Sequence, residues 1–327
     1  MKSNKPLLSI CLTTYKRPHG LQETLESIVR QFNDERVCEQ VEVVISDNGD
    51  DDETAAIVRS FQERFENIRY FRNETNIGCN GNIFNAVTRA NGYYCWYMAD
   101  DDVIINGAIE FILDKIKDHQ YDVVTIEATP IPQIADLTSR REFLSNEAIA
   151  VDDPNEFYFL GYCQGGFSVL MFNRDMWLSC ADREDALEHW FYYETVLRVL
   201  IASHKKSLYI RQPGVATGQE CQWVKGGTEL FTYVSSNILL QRMSSFGFDK
   251  DRILHALGVN SKSIPIILLR AKGHGLQCTI ANLRYIYDNL RGASIPYLLL
   301  VTMIYFVPNP VVVLIRDTRK RIIALMK

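Results

Sequence analysis

The stretch Tyr-Met-Ala-Asp-Asp-Asp, residues 97–102, decides how this chain folds. It closes an apolar run, residues 92–98, and precedes a predicted helix with Ile109, Ile112 and Leu113 on one face. Adjacent carboxylates repel one another unless a cation or a hydrogen-bond donor lies among them. Carboxylate oxygens suit Mg²⁺ or Mn²⁺ bound together with the phosphates of a substrate. A helix N-cap followed by an acidic first turn is the alternative explanation.

Predicted strands and helices alternate upstream of this stretch, and a polar cluster follows each strand. The strand-like runs cover residues 7–12, 41–46 and 68–71, and the polar clusters cover residues 13–18, 47–54 and 72–82. This pattern is typical of an open sheet that binds ligands beyond the carboxyl ends of its strands. The sequence therefore predicts an α/β fold with a Rossmann-like, mostly parallel sheet flanked by helices.

Four motifs, taken in order, resemble the family 2 glycosyltransferases with a GT-A fold. They are Thr-Thr-Tyr-Lys-Arg at 13–17, Ser-Asp-Asn-Gly at 46–49, Asn-Ile-Gly at 76–78 and Ala-Asp-Asp at 99–101. The last motif departs from the family's Asp-x-Asp because Ala99 stands at the first aspartate, so that the metal role passes to Asp101. The resemblance covers roughly the first 130 residues and continues more weakly to about residue 225. The Tyr-Met-Ala-Asp-Asp-Asp signature is also similar to the abequosyltransferase-like group of O-antigen assembly.

The resemblance implies a nucleotide-sugar donor, with CDP, UDP or dTDP as the nucleotide. It assigns donor binding to seven residues, which are Thr13, Tyr15, Arg17, Asp47, Asn76, Asn82 and Asp100. Asp101 would hold Mn²⁺ or Mg²⁺ on the diphosphate. Structural explanations stay open for three of these positions: a strand-end cap at Thr13, a left-handed turn at Asn76 and a helix N-cap at Asn82.

The reaction implied is a single displacement at the anomeric carbon with inversion, assisted by a general base that takes the proton of the acceptor hydroxyl. The family places that base in a Glu-Asp pair at the start of a helix, but here the pair falls on Phe191 and Tyr192. Glu188, then Glu194, then Asp185 are the substitutes, although a surface Glu is more often only a solvated charge. The acceptor loop and the lid are assigned to Gly165, Gly166, Gln219, Trp223 and Lys225.

Charge and hydropathy divide the chain. Residues 1–228 are predicted to form the catalytic domain, with a nucleotide-sugar half at 1–130 and an acceptor half at 131–228, and 229–327 to form a helical region. Residues 252–327 contain eleven Lys and Arg against two Asp. Residues 295–315 carry no charge but are interrupted by Pro-Asn-Pro at 308–310. This favours a segment in the interface of an anionic membrane, with a hydrophobic hairpin, a dimer contact or a membrane-spanning helix as the alternatives.

These observations predict an inverting glycosyltransferase, peripheral on the cytoplasmic face of the cell membrane, acting on a lipid-linked or cell-surface glycan acceptor. With 35 Lys and Arg against 40 Asp and Glu, the chain is mildly acidic, and no nucleic-acid partner is expected. A homo-oligomer is left open. The strand–turn at 13–15 lacks the glycines of a dinucleotide-binding oxidoreductase and the Gly-rich, basic loop of a nucleotidyltransferase. A non-catalytic nucleotide-sugar-binding or scaffold protein remains an alternative because the acidic pair is missing.

Overall fold

The computed structural model describes residues 5–130, 147–161, 167–187, 190–217, 227, 229–290 and 293–325. The chain divides into two compact units, Met1–Glu220 and Cys221–Lys327. The predicted acceptor and lid residues Gly165, Gly166, Gln219, Trp223 and Lys225, and the predicted base Glu188, lie outside the described residues.

The first unit is built on one sheet. Its described strands are β1 (Leu8–Thr14), β2 (Val41–Asp47), β3 (Ile68–Arg72), β4 (Tyr94–Ala99), β5 (Val103–Ile104), β6 (Tyr121–Pro130), β7 (Ala148–Val151), β8 (Leu170–Asn173) and β9 (Lys206–Thr217). They follow the spatial order β3-β2-β1-β4-β8-β6-β9-β5, and β7 pairs with β9. β3, β2, β1 and β4 run parallel, whereas β8 is antiparallel to both of its neighbours. The predicted α/β class is confirmed, and the sheet is mixed beyond β4.

The central strands are buried along their whole length because both faces of the sheet are covered. Every residue of β1 and β2 is buried, as expected of parallel strands with helices on both sides. The described helices of this unit are α1 (Pro18–Val29), α2 (Glu35–Gln40), α3 (Asp52–Gln62), α4 (Gly78–Arg89), α5 (Ala108–Ile116), α6 (Pro154–Phe159), α7 (Arg174–Cys180) and α8 (Phe191–Ala202). Their starts follow local chemistry: Asp34 caps α2 and Asp51 caps α3 through their carboxylates, and Pro18 opens α1.

Aromatic packing holds the antiparallel half together. Trp177 of α7 stacks on Phe172 of β8 with ring centroids 5.2 Å apart, and Phe191 meets Trp177 edge-on at 5.5 Å. Trp177 and Tyr192 are almost completely buried. Trp177 therefore belongs to the core, and α8 is fixed against the sheet by its first turn.

The second unit is helical. Its described helices are α9 (Glu229–Phe246), α10 (Lys250–Gly273), α11 (Ile280–Asp288), α12 (Ile295–Phe306) and α13 (Asn309–Leu325). A separate apolar core joins the first four of these helices through residues such as Leu230, Ile264, Leu268, Ile286 and Val301. Pro308 separates α12 from α13, as the sequence predicts, because proline has no N–H with which to continue the hydrogen bonding of the preceding helix.

Within the described residues, no single helix has the length and apolar composition needed to cross a membrane. The segments Ile295–Phe306 and Asn309–Thr318 meet those criteria only as a pair, and they are bent by 91° at the break between them.

Candidate active site

Parallel pairing brings the predicted donor-site residues to one edge of the sheet. Thr13 of β1 lies opposite Ala99 of β4, and Thr14 lies opposite Asp47 of β2. Asp47 in turn faces Arg72 of β3. The carboxyl ends of all four parallel strands therefore surround one place, which is where such sheets bind their ligands.

Asp100 lies at the centre of this edge and is held on both sides. Thr14 Oγ1 donates to one carboxylate oxygen at 2.7 Å, and Arg17 Nη1 donates to the other at 2.9 Å. Burial raises the pKa of Asp100 to about 6, although Arg17 and Thr14 favour its charged form. The hydrogen-bond donors of Thr14 and Arg17 thus offset the cost of burying the charged Asp100 carboxylate.

Arg17 joins two neighbouring acids. Its second terminal nitrogen, Nη2, donates to Asp101 Oδ2 at 2.9 Å, so one guanidinium bridges Asp100 and Asp101. The fork of donors in arginine suits such pairing. Arg17 directly precedes α1, and that helix packs closely on the acidic stretch: a Cβ atom built on Gly20 would lie 2.4 Å from the carbonyl oxygen of Asp100.

The third acid of the stretch has a structural role. Asp102 is buried, and its Oδ2 accepts a hydrogen bond of 2.5 Å from Ser168 Oγ. Its carbonyl oxygen accepts from Thr24 Oγ1 at 2.8 Å, which ties α1 to the turn after β4. Ser168 Oγ also accepts from the backbone N–H of Ala99 at 3.0 Å. The three adjacent carboxylates, equivalent in sequence, therefore face different partners.

The donor set at this edge fits a divalent cation completed by a substrate. Among the described residues, no group of three or more His, Cys, Asp or Glu side chains could hold a metal ion. Magnesium in nucleotide enzymes, however, is bound through one or two carboxylates plus the phosphates. Asp101, with 23% of its side chain exposed, supplies such a carboxylate. The residues fit a shared protein–diphosphate site and not a closed protein cage.

Asp47 is more enclosed than its predicted role suggests. It is completely buried, and its two carboxylate oxygens accept from the backbone N–H of Gly49 at 2.6 Å and from the Tyr70 hydroxyl at 2.7 Å. Burial raises the pKa of Asp47, and burial together with this hydrogen bond raises the pKa of Tyr70 to about 12. In the described structure Asp47 shapes the turn after β2, so contact with a ligand requires one of these bonds to be exchanged.

An amide network that the motifs did not predict lies beside Asp47. Asn73 Nδ2 donates to Asn48 Oδ1 at 2.9 Å and to Asn82 Oδ1 at 3.0 Å. Asn82 Nδ2 in turn donates to the carbonyl of Thr14 at 3.3 Å. Asn73 directly follows β3, and Asn48 directly follows β2. Their position at strand ends was the signal in the sequence that could have identified them as members of the site. Asn82 is therefore a buried link between β1 and the loop, and it is not the N-cap of α4.

Two predicted residues differ in exposure. The Thr13 hydroxyl is hydrogen bonded to the Tyr97 hydroxyl at 3.0 Å, and burial raises the pKa of Tyr97 well above its usual value. The ring of Tyr15, in contrast, is 46% exposed, with the Lys16 ammonium 5.6 Å from its centroid.

Asn76 accepts from the N–H of Gly78, whose φ of +75° confirms a left-handed turn there.

The predicted substitutes for the missing acidic pair are not equivalent. Glu194 is fully buried, and its oxygens accept from Arg198 Nη2 at 2.9 Å and from the Leu187 N–H at 3.2 Å. It fixes the loop before α8 and cannot reach an acceptor hydroxyl in this arrangement. The Asp185 side chain is 61% exposed and pairs with the same Arg198 at 2.9 Å. Tyr192 lies in the core, where its hydroxyl donates to the carbonyl of Leu170 at 3.3 Å.

Comparison with known proteins adds a sequence family to this geometry. Residues 9–176 match the model of the family described as Glycosyl transferase family 2. The abequosyltransferase RfbV of Salmonella typhimurium is 35% identical over 118 residues, which are 36% of this chain and 34% of that protein. A GalNAc(5)-diNAcBac-PP-undecaprenol beta-1,3-glucosyltransferase of Campylobacter jejuni is 31% identical over 112 residues, or 34% of each chain. The matched part thus spans about a third of these curated relatives.

Solved structures share the fold at low sequence identity. A mannosyltransferase from Pyrobaculum calidifontis in complex with GDP-Man and Mn²⁺ superposes with a TM-score of 0.56 at 15% identity, covering 95% of this chain and 87% of the other. Residues 1–349 of Staphylococcus aureus TarS with UDP-GlcNAc superpose with a TM-score of 0.54 at 14% identity, covering 91% and 90%. These neighbours have the GT-A fold, which confirms that prediction.

Proposed function

The chain belongs to glycosyl transferase family 2, and from this premise we propose that it transfers a sugar from a nucleotide-sugar donor to a hydroxyl group of a lipid-linked or cell-surface glycan acceptor. The observation that carries the proposal is the cluster of Arg17, Asp100 and Asp101 at the carboxyl ends of the parallel strands. Asp101, which is partly exposed, offers a negative charge to the metal ion. The neighbouring guanidinium of Arg17 offers a positive charge to the diphosphate.

Each donor-site residue has a role that its environment supports. The exposed ring of Tyr15 offers a face for the nucleoside base. Asp100, held by Thr14 and Arg17, accepts a ribose hydroxyl by exchanging one of its present partners. Asp101 would hold Mn²⁺ or Mg²⁺, which when bound offsets the charge that grows on the departing diphosphate. A GDP-mannose and Mn²⁺ complex of the structural neighbour from P. calidifontis supports this choice of ligands.

The transfer itself is proposed as a single displacement with inversion. The acceptor oxygen bonds to the anomeric carbon while the bond from that carbon to the diphosphate oxygen breaks, and the hydroxyl proton passes to a carboxylate. Among the described candidates, the exposed Asp185 meets the access requirement that the buried Glu194 does not. Glu188, outside the described residues, remains the base proposed first. The lipid-linked substrate in the name of the C. jejuni relative supports an acceptor of that class.

Membrane association is proposed on the distribution of exposed apolar side chains. Of the 17 large apolar side chains exposed in the described part of the chain, four lie in the first unit and 13 in the second. Met303 and Leu314, on α12 and α13, are 66% and 67% exposed. Because basic residues accompany them, an anionic membrane surface fits both features. Replacing both residues with Ser should abolish sedimentation with vesicles; unchanged sedimentation would refute this part of the proposal.

A non-catalytic donor-binding protein is the second candidate, because Phe191 and Tyr192 occupy the positions of the acidic pair and lie in the core. Release of nucleoside diphosphate from a panel of CDP-, UDP-, dTDP- and GDP-sugars with Mn²⁺ separates the two. We expect release by the native chain and its loss in Asp101→Asn, while Asp175→Asn, which removes an exposed, ion-paired acid elsewhere in the same unit, keeps it. Binding of a donor without turnover by the native chain would favour the second candidate.

A further inference from the structure

Two cavities in the second unit share one buried cation. Their volumes are about 480 and 410 Å³, and Lys272, Gly275 and Asn309 line both of them. They lie where α10 ends and where the chain turns from α12 into α13. The proposed transfer reaction uses neither cavity.

Lys272 is the unusual feature of this region. Only 1% of the residue is exposed. Its ammonium donates to the carbonyl oxygen of Tyr305 at 2.7 Å and to Cys278 Sγ at 3.0 Å. The same ammonium lies over the Tyr305 ring, 5.7 Å from its centroid, and no carboxylate in the described part of the chain pairs with it. A buried charge is costly unless it is paired and hydrogen bonded.

The described surroundings of Lys272 supply only part of the negative charge that would balance its ammonium group. The Tyr305 carbonyl lies in the last turn of α12, where the helix dipole favours a cation, but that is a partial charge. Asp317 lines the larger cavity, and its carboxylate pairs with Arg316 Nε at 3.0 Å. None of the described residues that line the smaller cavity is an acid. An anion from outside the chain would complete the site.

The rest of the smaller cavity indicates what kind of anion fits. Tyr305, Phe306, Val307 and Pro308 form an apolar wall beside Lys272. Phe306 is 65% exposed, and the side chains of Met303 and Leu299, which precede it on α12, are exposed as well. A cationic group at one end of an open apolar face matches a molecule with a charged head and a hydrocarbon chain.

We propose that the smaller of the two cavities at Lys272 binds the phosphate group of an anionic lipid, whose hydrocarbon chain lies along the exposed face of α12. The site rests on the proposed membrane association and deepens it, since it turns a general attraction to a charged surface into recognition of one head group. Free phosphate has the same charge chemistry, but it leaves the apolar wall uncovered and is the source that the experiment must separate.

The test uses the full-length chain and its sedimentation with vesicles of phosphatidylcholine, with and without phosphatidic acid. We expect phosphatidic acid to strengthen binding, and Lys272→Met to remove this gain while weak binding to neutral vesicles stays. The matched control is Lys262→Met, which removes an exposed lysine from the same helix. As one surface cation among many, it should weaken binding by at most about fivefold, the factor that about 1 kcal/mol per basic residue gives.

A second measurement covers the case in which Lys272→Met does not fold. For the native chain, a short-chain phosphatidic acid should raise the melting temperature, and inorganic phosphate should not. Phe306→Ser, at an exposed position, should weaken this response without changing the melting temperature of the free protein. Equal losses in Lys272→Met and Lys262→Met would overturn the proposal, as would an equal response to inorganic phosphate. Nucleoside diphosphate release by the first unit's site is read separately, so failure here leaves the transfer reaction standing.

Discussion

Arg17→Gln is the substitution from which the electrostatics of the acidic edge can be measured. The native guanidinium makes charge-assisted hydrogen bonds of 2.9 Å to Asp100 and to Asp101. A hydrogen bond to a charged group contributes about 1.5–3 kcal/mol. The Asp101 side chain, 23% exposed, can be hydrated when its partner is lost, whereas that of Asp100, 8% exposed, cannot. We therefore expect the free energy of unfolding to fall by about 2 kcal/mol at about pH 8, almost all of it from Asp100.

The loss of stability depends on pH because Asp100 becomes neutral when it binds a proton. A neutral carboxyl group is less costly to bury without the Arg17 guanidinium. Its pKa is raised to about 6 in the native chain, and removal of Arg17 raises that pKa further. A carboxyl group whose pKa is higher in the folded state than in the unfolded state stabilises the fold as the pH falls through the folded pKa. The variant gains more from this protonation than the native chain does, so the two stabilities should converge below about pH 6.

Urea unfolding followed by tryptophan fluorescence reports mainly on the first unit, because three of the four tryptophans, Trp96, Trp177 and Trp190, belong to it. Arg36→Gln is the control: it breaks a pair with Asp114 in which the side chains are 34% and 50% exposed. The control should cost less than about 1 kcal/mol, with no such pH dependence. An Arg17→Gln loss that is the same at about pH 8 and about pH 5, or no larger than that of the control, would refute the reasoning.

Three further substitutions test the contacts around the site. Gly20→Ala places a Cβ atom 2.4 Å from the Asp100 carbonyl oxygen, so α1 must shift; we expect a loss of about 1–3 kcal/mol in urea unfolding and weaker donor binding by calorimetry. Asn73→Ala leaves Asn48 and Asn82 without their shared donor and should cost about 1–3 kcal/mol, and a neutral effect would show that the network is not needed. Glu194→Ala leaves Arg198 without its buried partner and should cost about 2–4 kcal/mol; a stable variant that has lost only turnover would instead identify Glu194 as the base.

The sequence predicted the alternating strands and helices of the donor half and the edge at which its polar residues meet, because parallel strands bring their carboxyl ends together whatever the loops do. The family resemblance gave Asp100 and Asp101 different roles, but the residues alone did not show which partner each of Asp100, Asp101 and Asp102 has. Their roles depend on which of Thr14, Arg17 and Ser168 each carboxylate faces, and those partners come from segments distant in sequence.

Burial explains two other differences between the prediction and the structure. Glu194 was a predicted substitute for the missing acidic pair, yet it is buried and pairs with Arg198 one turn later on the same helix. Asn73 belongs to none of the motifs, but its amide links the loops after β2 and β3. Helical periodicity gives the face of a helix, whereas the direction of a polar side chain at that face depends on tertiary partners that a single sequence does not specify.

Calorimetry of nucleoside diphosphates with the purified chain tests the donor site without requiring the correct sugar or acceptor. We predict that at least one of CDP, UDP, dTDP and GDP binds in the presence of Mn²⁺, that the affinity falls without the metal, and that Asp101→Asn abolishes the metal-dependent part while Asp175→Asn leaves it unchanged. Binding of a diphosphate that is equally strong with and without Mn²⁺ in both variants, or no binding at all by folded protein, would contradict the assignment of this edge of the sheet.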